Sequence, residues 1–231
     1  MGATGESRGL NRDMSKISDP QRFDASYYAR FYEDYKTRVT SIEATVVLVR
    51  FVVAYLRYIG IEPRKVLDVG CGLGLWRTAL EEIIPEFSTR SYKYFGVEVS
   101  DAACDRFGWQ KLDISAAAPR GRFDLVICAG VLQYVSDRYV GRALANLAQC
   151  CRGAVYLQIA TKEDWATTMN QTASDQEIYL RPVRWYLGRI MRHFLHCGGG
   201  IFVPRSTTLP FWELEICHAH PRLTRSGGHQ S

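Results

Sequence analysis

The apolar and polar positions of this chain follow helical spacing near its N-terminus. Residues 24–38 have helical character and are crowded with tyrosines. Thr40 and Glu43 form a capping box, and the valine, leucine and phenylalanine residues that follow, up to Ile59, supply a broad apolar face. The pattern therefore predicts two helices, which we assign to an N-terminal helical cap over residues 21–60.

From residue 64 the pattern changes to short apolar runs that alternate with helical segments. Strands are predicted over residues 65–69, 92–99, 110–114, 123–128 and 154–160, followed by a hairpin over about 200–205 and 211–217. Helices are predicted over residues 74–84, from Ser136 or Asp137 onward, and from Pro182 to about Cys197. This alternation indicates a doubly wound α/β fold with a seven-strand, mostly parallel sheet, an antiparallel terminal hairpin and the N-terminal cap. Ligands of such sheets bind at the carboxyl ends of the strands.

The composition is that of a folded protein, because 47% of the 231 residues are hydrophobic and 23% are charged. This balance excludes a wholly disordered or fibrous chain. Residues 1–20 and 221–231 are polar and lack apolar periodicity, so we predict flexible tails there. Residues 61–220 are then the main, ligand-binding domain.

Charge and cysteine content narrow the partners and the compartment. The net charge is +5 without a run of five like charges, so the dense basic stripe of a nucleic-acid binder is missing. The most apolar run, residues 46–59, carries two arginines and is shorter than the ~20 residues that span a bilayer. Seven cysteines without a CxxC pair indicate reduced thiols and a cytoplasmic protein.

The sequence DVGCGLG, residues 68–74, follows a predicted strand and opens a predicted helix. Glycines at such a turn let the backbone pass close to a ligand. The dinucleotide fingerprint Gly-x-Gly-x-x-Gly is not met, because position 75 is leucine and the third glycine comes one place early. A pyrophosphate also disfavours an acidic Asp68 before the turn, whereas a positively charged amino group suits it.

Two further carboxylates stand at the ends of the next predicted strands. Glu98 ends the second strand, where a carboxylate can accept hydrogen bonds from both ribose hydroxyls. Asp113 ends the third, where it can accept from an exocyclic adenine amine. Together with Asp68 they describe an adenosine that carries no phosphate and ends in a cationic group. The alternative is that these carboxylates cap helices and that the glycines form an ordinary tight turn.

These motifs together resemble a known family. VLDVGCGLG, GVEVS, KLDIS and FDLVICAGVLQYV are similar, in order and spacing, to the motifs of class I S-adenosylmethionine-dependent methyltransferases. The resemblance covers about residues 62–160 and is looser elsewhere. It implies an enzyme that binds S-adenosylmethionine as its cofactor and releases S-adenosylhomocysteine.

The resemblance also implies roles for individual residues. The glycine loop is expected to pass beneath the methionine part, the Glu98 carboxylate to hold the ribose, and the next side chain to pack on the adenine. The cofactor-binding residues that it implies are Asp68, Gly70, Cys71, Gly72, Glu98, Val99, Asp113, Ile114 and Ala129. From the N-terminal segment we add Tyr28 and Arg38, the latter because the methionine carboxylate needs a cation. The alternative for Tyr28 is that it is a hydrophobic residue of a lid, and the alternative for Arg38 is that it is a solvated surface charge.

The acceptor side carries fewer signals. Many relatives have a histidine after the fourth strand, whereas this chain has Gln133 and Tyr134, which argues against a histidine-based mechanism. Tyr134 is the candidate catalytic residue, because its hydroxyl can orient the acceptor; the alternative is aromatic packing on the next helix. Trp165 and Arg181, after the fifth strand, are candidates for binding an aromatic or anionic acceptor, and their alternative is a structural role.

The Asn/Asp-Pro-Pro-aromatic signature of enzymes that methylate planar amino groups on bases or glutamine is absent after Cys128. No second domain is predicted that could grip a macromolecule. We therefore expect in-line methyl transfer to a small-molecule acceptor at O, N or C. The alternatives are a non-catalytic S-adenosylmethionine-binding regulatory or scaffold protein and a methyltransferase of RNA or protein.

Histidines cluster late in the chain, beside two of the cysteines. His193-x-x-His196 and Cys217-His218-Ala219-His220 invite a zinc interpretation, but their spacing fits no familiar zinc module. We therefore expect no metal.

Overall fold

Seven strands form one sheet in the part of the computed structural model that is described, residues 19–88 and 90–217. They are β1 (Lys65–Val69), β2 (Lys93–Glu98), β3 (Gln110–Lys111), β4 (Phe123–Ala129), β5 (Cys151–Gln158), β6 (Phe194–His196) and β7 (Ile201–Pro204). Their order is β3-β2-β1-β4-β5-β7-β6; β7 runs antiparallel to both of its neighbours, and the remaining pairs are parallel. The predicted α/β fold class is confirmed.

Helices cover both faces of this sheet. They are α1 (Ala25–Tyr28), α2 (Ile42–Tyr58), α3 (Leu75–Phe87), α4 (Asp101–Phe107), α5 (Asp137–Cys150), α6 (Lys162–Thr167) and α7 (Val183–Ile190). A wider π-helical turn, Ala29–Glu33, continues α1. The predicted flexible tails fall almost entirely on residues 1–18 and 218–231, which lie outside the described residues.

The central strands are buried on both faces because their side chains alternate between two apolar cores. Leu67 of β1 and Val126 of β4 belong to the core beneath α5 and α7. Val66 and Leu125, which point the opposite way, belong to the core beneath α2 and α3. This double burial is the expected environment of parallel strands, and it leaves the carboxyl ends of the strands as the open edge.

The terminal hairpin lies earlier in the chain than we predicted. The helix after Pro182 ends at Ile190, and β6 and β7 form the hairpin, with a turn over Gly198–Gly200 whose glycines all have positive φ. The segment 211–217 contains a short 3-10 turn, Glu213–Glu215, where a strand was predicted. The glycines close the hairpin, although their sequence also fits the end of a helix.

Two helix boundaries also differ from the prediction by a few residues. Ser41, one residue after the predicted cap, is the N-cap of α2, because its hydroxyl accepts a hydrogen bond from the amide of Ala44 (3.2 Å). Pro85 lies inside the last turn of α3, which ends at Phe87. A proline this close to the end removes a single helical hydrogen bond.

Membrane and metal features were sought within residues 19–88 and 90–217. No helix there is both long and apolar enough to cross a membrane. No group of three or more histidine, cysteine or acidic side chains in the same residues could hold a metal ion. His218 and His220 of the late cluster lie outside the described residues.

Candidate active site

A cavity of about 900 Å³ opens at the carboxyl edge of the sheet. The last residues of four parallel strands line it, namely Val69, Glu98, Ala129 and Gln158. The edge lies where the connections of β1 and β4 diverge to opposite sides, the switch point at which doubly wound sheets bind ligands. The volume falls within the ~300–1,000 Å³ of typical small-molecule sites.

The glycine loop after β1 forms one wall of the cavity through its backbone. Gly70 has φ +70°, and a Cβ atom there would lie 2.4 Å from the side chain of Val131. A Cβ atom on Gly72, which has φ +48°, would approach the ring of Tyr28 to 3.3 Å. Both the conformation and the space therefore require glycine, and the loop presents its backbone to whatever the cavity holds.

The Glu98 carboxylate is fixed by backbone amides beside this loop. Its Oε2 atom accepts from the amide of Gly72 (2.9 Å), and its Oε1 atom accepts from the amides of Val99 (2.6 Å) and Ser100 (3.1 Å). The residue is only 4% exposed. The arrangement uses three of about four lone-pair sites on the carboxylate, which leaves one on Oε2 for a ligand.

Ten of the eleven residues that the sequence suggested for cofactor binding line this cavity. They are Tyr28, Arg38, Gly70, Cys71, Gly72, Glu98, Val99, Asp113, Ile114 and Ala129. The geometry therefore brings together the glycine loop, two strand-end carboxylates and the N-terminal segment around one space.

The chain matches a family model described as "Methyltransferase domain" over residues 45–209. It belongs to this family. The resemblance to class I S-adenosylmethionine-dependent methyltransferases and the predicted enzyme class are thereby confirmed. The match begins within α2, so residues 19–44 of this methyltransferase, which cover the cavity, lie outside it.

Solved structures of low sequence identity share the methyltransferase fold. A magnesium protoporphyrin IX methyltransferase from Synechocystis PCC 6803 with bound SAH has a TM-score of 0.57 at 16% identity, over 82% of this chain and 98% of that one. An N-methyltransferase from Bradyrhizobium japonicum WM9 in complex with SAH has a TM-score of 0.53 at 16% identity, over 79% and 98%. No curated protein matches the sequence.

The chain spans about half the length of another matched structure. This is an amino pentose methyltransferase from Micromonospora echinaspora bound to SAM, with a TM-score of 0.44 at 19% identity over 54% of this chain and 53% of that one.

Asp68, the remaining predicted cofactor residue, does not line the cavity of the methyltransferase. Its carboxylate lies 2% exposed behind the glycine loop and accepts a hydrogen bond from the hydroxyl of Tyr94 (2.6 Å). Burial, reinforced by the charge of Glu98, raises the pKa of Asp68 to about 7, while the bond from Tyr94 opposes this rise. Asp68 therefore forms a buried contact between β1 and β2, because its side chain points into the core beneath α2 and α3.

The opposite end of the cavity is lined by aromatic side chains. Tyr134 lies there as predicted, with its hydroxyl 3.0 Å from that of Tyr27. The ring of Phe23 packs edge-on against both, with centroid distances of 5.1 Å. Burial raises the pKa values of both tyrosines well above 10, so these hydroxyls stay protonated and act as hydrogen-bonding groups.

The N-terminal segment is held over the cavity by polar contacts at two points. Arg22 forms an ion pair with Asp175 (2.8 Å) and donates to the carbonyl of Glu177 (2.7 Å). At the other point Ser100 donates its hydroxyl to the carbonyl of Phe23 and accepts from the amide of Ala103 (3.1 Å). Residues 19–33 and 168–178 are thereby joined into one cover across the mouth.

Neither predicted acceptor-binding residue after β5 lines the cavity. Asp164 on α6 and Thr168, the residue that caps its end, face the cavity from positions four apart, and Trp165 lies on another side of the helix. Arg181 is 5% exposed and makes hydrogen bonds within the protein. Its partners are the carboxylate of Asp137, the carbonyls of Leu132 and Val135, and the hydroxyl of Tyr186. These bonds occupy the guanidinium, which joins the loop after β4 to α7 instead of binding an anionic acceptor.

Two residues of the site carried no clear signal in the sequence. Trp109 donates its ring N–H to the carbonyl of Gly72 (2.9 Å) and packs against Gly74 and Gly96. These contacts fix the position of the glycine loop. Gln133 is 8% exposed in the cavity wall. The sequence marked Gln133 only as the place of an absent histidine.

Proposed function

We propose that this methyltransferase transfers a methyl group from S-adenosylmethionine to a small molecule, with both bound in the one cavity. The observation that carries the proposal is the continuity of the space. It begins at the glycine loop and the Glu98 carboxylate and ends under Tyr27 and Tyr134. A volume of about 900 Å³ suits a cofactor together with a small acceptor.

The residues at the glycine-loop end fit the cofactor chemically. The free lone-pair site of Glu98 Oε2 is suited to a ribose hydroxyl. Val99 and Ile114 offer apolar contact to the adenine, and Asp113 lies beside them in the lining. Arg38, exposed at the mouth, is the cation for the methionine carboxylate. When bound, S-adenosylmethionine supplies the electrophilic methyl group.

A small acceptor is favoured by the cover over the other end. The Arg22–Asp175 ion pair and the Tyr27–Tyr134 hydrogen bond close this side with partly buried contacts. A nucleic-acid strand or a protein side chain on its backbone must displace them to enter. A molecule that fits within the cavity is enclosed by them, which aligns it for in-line displacement.

Calorimetry with the full chain tests the cofactor half of the proposal. We expect heat on titration with S-adenosylhomocysteine and none with NAD, because the loop lacks the spacing for a pyrophosphate. Binding of NAD in place of S-adenosylhomocysteine contradicts the proposal.

Methyl transfer from labelled S-adenosylmethionine to a metabolite panel tests the acceptor half. Turnover of any small compound excludes the non-catalytic regulatory or scaffold alternative. Turnover confined to RNA or protein, with retention on RNA that weakens steeply with salt, contradicts a small acceptor.

A further inference from the structure

Gln133 has an unsatisfied hydrogen-bonding atom in the cavity wall. Its side-chain carbonyl oxygen, Oε1, is buried and has no hydrogen-bond partner among the described residues. Its backbone carbonyl accepts from the amide of Tyr179 (2.8 Å), which fixes the loop after β4. A buried acceptor left unpaired costs about 1–3 kcal/mol. This atom is therefore available to accept a hydrogen bond from a ligand in the cavity.

We propose that the methyl acceptor is an amine and that Gln133 Oε1 accepts an N–H bond from it. This inference rests on the proposed function, since it names the acceptor class of the same site. It makes Gln133 the residue that orients the nucleophile, with its amide oxygen directed at the nitrogen that receives the methyl group.

An amine suits this wall because the carboxylates there are already engaged. The Asp175 carboxylate pairs with Arg22 (2.8 Å), and the Asp164 carboxylate accepts from the hydroxyl of Thr161 (2.6 Å). Glu98 is bound by three amides. An alcohol needs a base to take its proton as it attacks, whereas a neutral amine attacks through its lone pair.

Tyrosine and histidine do not supply that base either. Burial raises the pKa values of Tyr27, Tyr28 and Tyr134, so these hydroxyls hold their protons at neutral pH. His193 and His196 lie outside the cavity lining. Asp113, the remaining lining carboxylate, lies near the adenine end and accepts from the amide (2.7 Å) and hydroxyl (2.9 Å) of Ser115. Near Gln133 the described lining therefore offers hydrogen-bonding groups for a nucleophile and no unpaired base for a hydroxyl.

The transfer balances without a further reactant. The lone pair of the amine forms the new N–C bond while the methyl C–S bond breaks and leaves its electron pair on sulfur. The nitrogen becomes a methylated ammonium, which then loses one proton to water. Throughout, Gln133 Oε1 holds an N–H bond and so keeps the lone pair directed along the displacement line.

The cations of the described lining also favour an amine over an acid. Lys36 and Arg38 are exposed at the mouth, and Arg38 is assigned to the methionine carboxylate. The inner end is lined by aromatic residues, among them Phe23, Tyr27 and Tyr134. A carboxylate acceptor would find no buried positive partner among these residues.

A panel of primary and secondary amines, phenols, alcohols and carboxylates, each matched in size, tests the acceptor class. With the full chain and S-adenosylmethionine we expect mass spectrometry to find N-methylated products. O-methylation without N-methylation overturns the inference. So does S-adenosylhomocysteine binding without turnover of any amine, whereas a failure to bind S-adenosylhomocysteine overturns the proposed function itself.

Substitution of Gln133 tests its role. We expect Gln133→Met, which keeps the shape and removes the acceptor atom, to lower kcat/KM for the amine by about ten- to a hundred-fold. It should weaken amine binding to the S-adenosylhomocysteine complex by a similar factor and leave S-adenosylhomocysteine affinity unchanged. Gln110→Met makes the same change at an exposed position in β3, outside the lining, and should have no effect.

Gln133→Glu gives a second readout that a merely structural role would not move. A carboxylate here stabilises the ammonium form of the bound amine, so the rising limb of kcat against pH, which reports groups in the enzyme–substrate complex, should shift upward by about one pH unit or more. An unchanged pH profile in Gln133→Glu, or unchanged amine kinetics in a folded Gln133→Met, overturns the assignment.

Discussion

The two ends of the cavity are built in different ways. The cofactor end is made of strand ends and the turns that follow them, so Gly70, Gly72 and Glu98 lie within one stretch of sequence. The acceptor end joins distant segments: Tyr27 meets Tyr134 across 107 positions, and Arg22 meets Asp175 across 153. The family match covers the strand-end residues of the first end and leaves out residues 19–44, which supply Tyr28 and Arg38 to the first end and Tyr27 to the second. The shared chemistry is therefore encoded locally, whereas the acceptor site depends on long-range packing.

The largest effect on ligand binding is expected from Glu98→Ala, at the cofactor end. The change removes the tether of Gly72 and the lone pair offered to the ribose, and each charge-assisted bond is worth about 1.5–3 kcal/mol, so S-adenosylhomocysteine affinity should fall by about a hundred-fold. Calorimetry measures it. Glu86→Ala, which removes a surface ion pair with Arg50, is the matched control and should bind normally. Undiminished affinity in Glu98→Ala would remove Glu98 from the site.

A smaller effect, confined to the acceptor end, is expected from Arg22→Met. Loss of the ion pair loosens the cover and leaves the Asp175 carboxylate without its arginine partner, so the KM for the acceptor should rise by about ten-fold. S-adenosylhomocysteine affinity should stay the same. Steady-state kinetics and calorimetry test both, with Arg184→Met at an exposed position on α7 as the control. A parallel loss of cofactor affinity would show that the two ends are not separable.

Tyr134→Phe should have a still smaller effect on the acceptor end. It removes the hydrogen bond to Tyr27 and keeps the ring that packs against Phe23, so acceptor kcat/KM should fall by about three- to ten-fold. Because burial raises the pKa of Tyr134 and keeps its hydroxyl protonated, the pH profile should keep its shape. Tyr58→Phe, which removes an exposed bond to Glu215, serves as the control. A lost pH limb in Tyr134→Phe would instead identify a proton-transfer role.

Asp68→Asn should have the smallest effect on ligand binding, since this side chain does not line the cavity at either end. Its effect is expected on stability. The pKa of Asp68 in the folded protein, about 7, lies above the ordinary value of 3.8 for an aspartate, so the folded state holds a proton that the unfolded chain releases. The free energy of unfolding should therefore fall as pH rises from about 4 through 7.

Denaturant unfolding of the cofactor-free protein at several pH values measures this slope. Asp68→Asn, whose side-chain oxygen can still accept from Tyr94, should show a flatter dependence and gain stability relative to the wild type above pH 7. A wild-type slope that the variant retains would assign the pH dependence to other groups.

The sequence is sufficient to predict that the glycine loop and the strand-end acids line one cavity, because their spacing is set by strand and turn geometry. A glycine loop after β1, an acid at the end of β2 and an acid after β3 reach the same edge in any sheet of this order. Asp68 shows the limit of such reasoning. It precedes the loop in sequence, but strand alternation turns its side chain into the core beneath α2 and α3.

At the acceptor end the sequence could predict residue types but not their directions. Trp165 and Arg181 have suitable chemistry, yet helix rotation turns one from the cavity and a buried hydrogen-bond network occupies the other. The role of Arg22 follows from a contact that no local pattern encodes. Glycines 198–200 were similarly ambiguous, since helix ends and hairpin turns both use positive φ.

Ser100 makes hydrogen bonds both to the Glu98 carboxylate and to the N-terminal segment. Its amide donates to the Glu98 carboxylate. Its hydroxyl accepts from the amide of Ala103 in the first turn of α4 and donates to the carbonyl of Phe23. Loss of this hydroxyl would therefore free the N-terminal segment at one of its two polar attachment points. A single serine outside the cavity lining therefore ties the strand end that carries Glu98 to the N-terminal segment over the mouth.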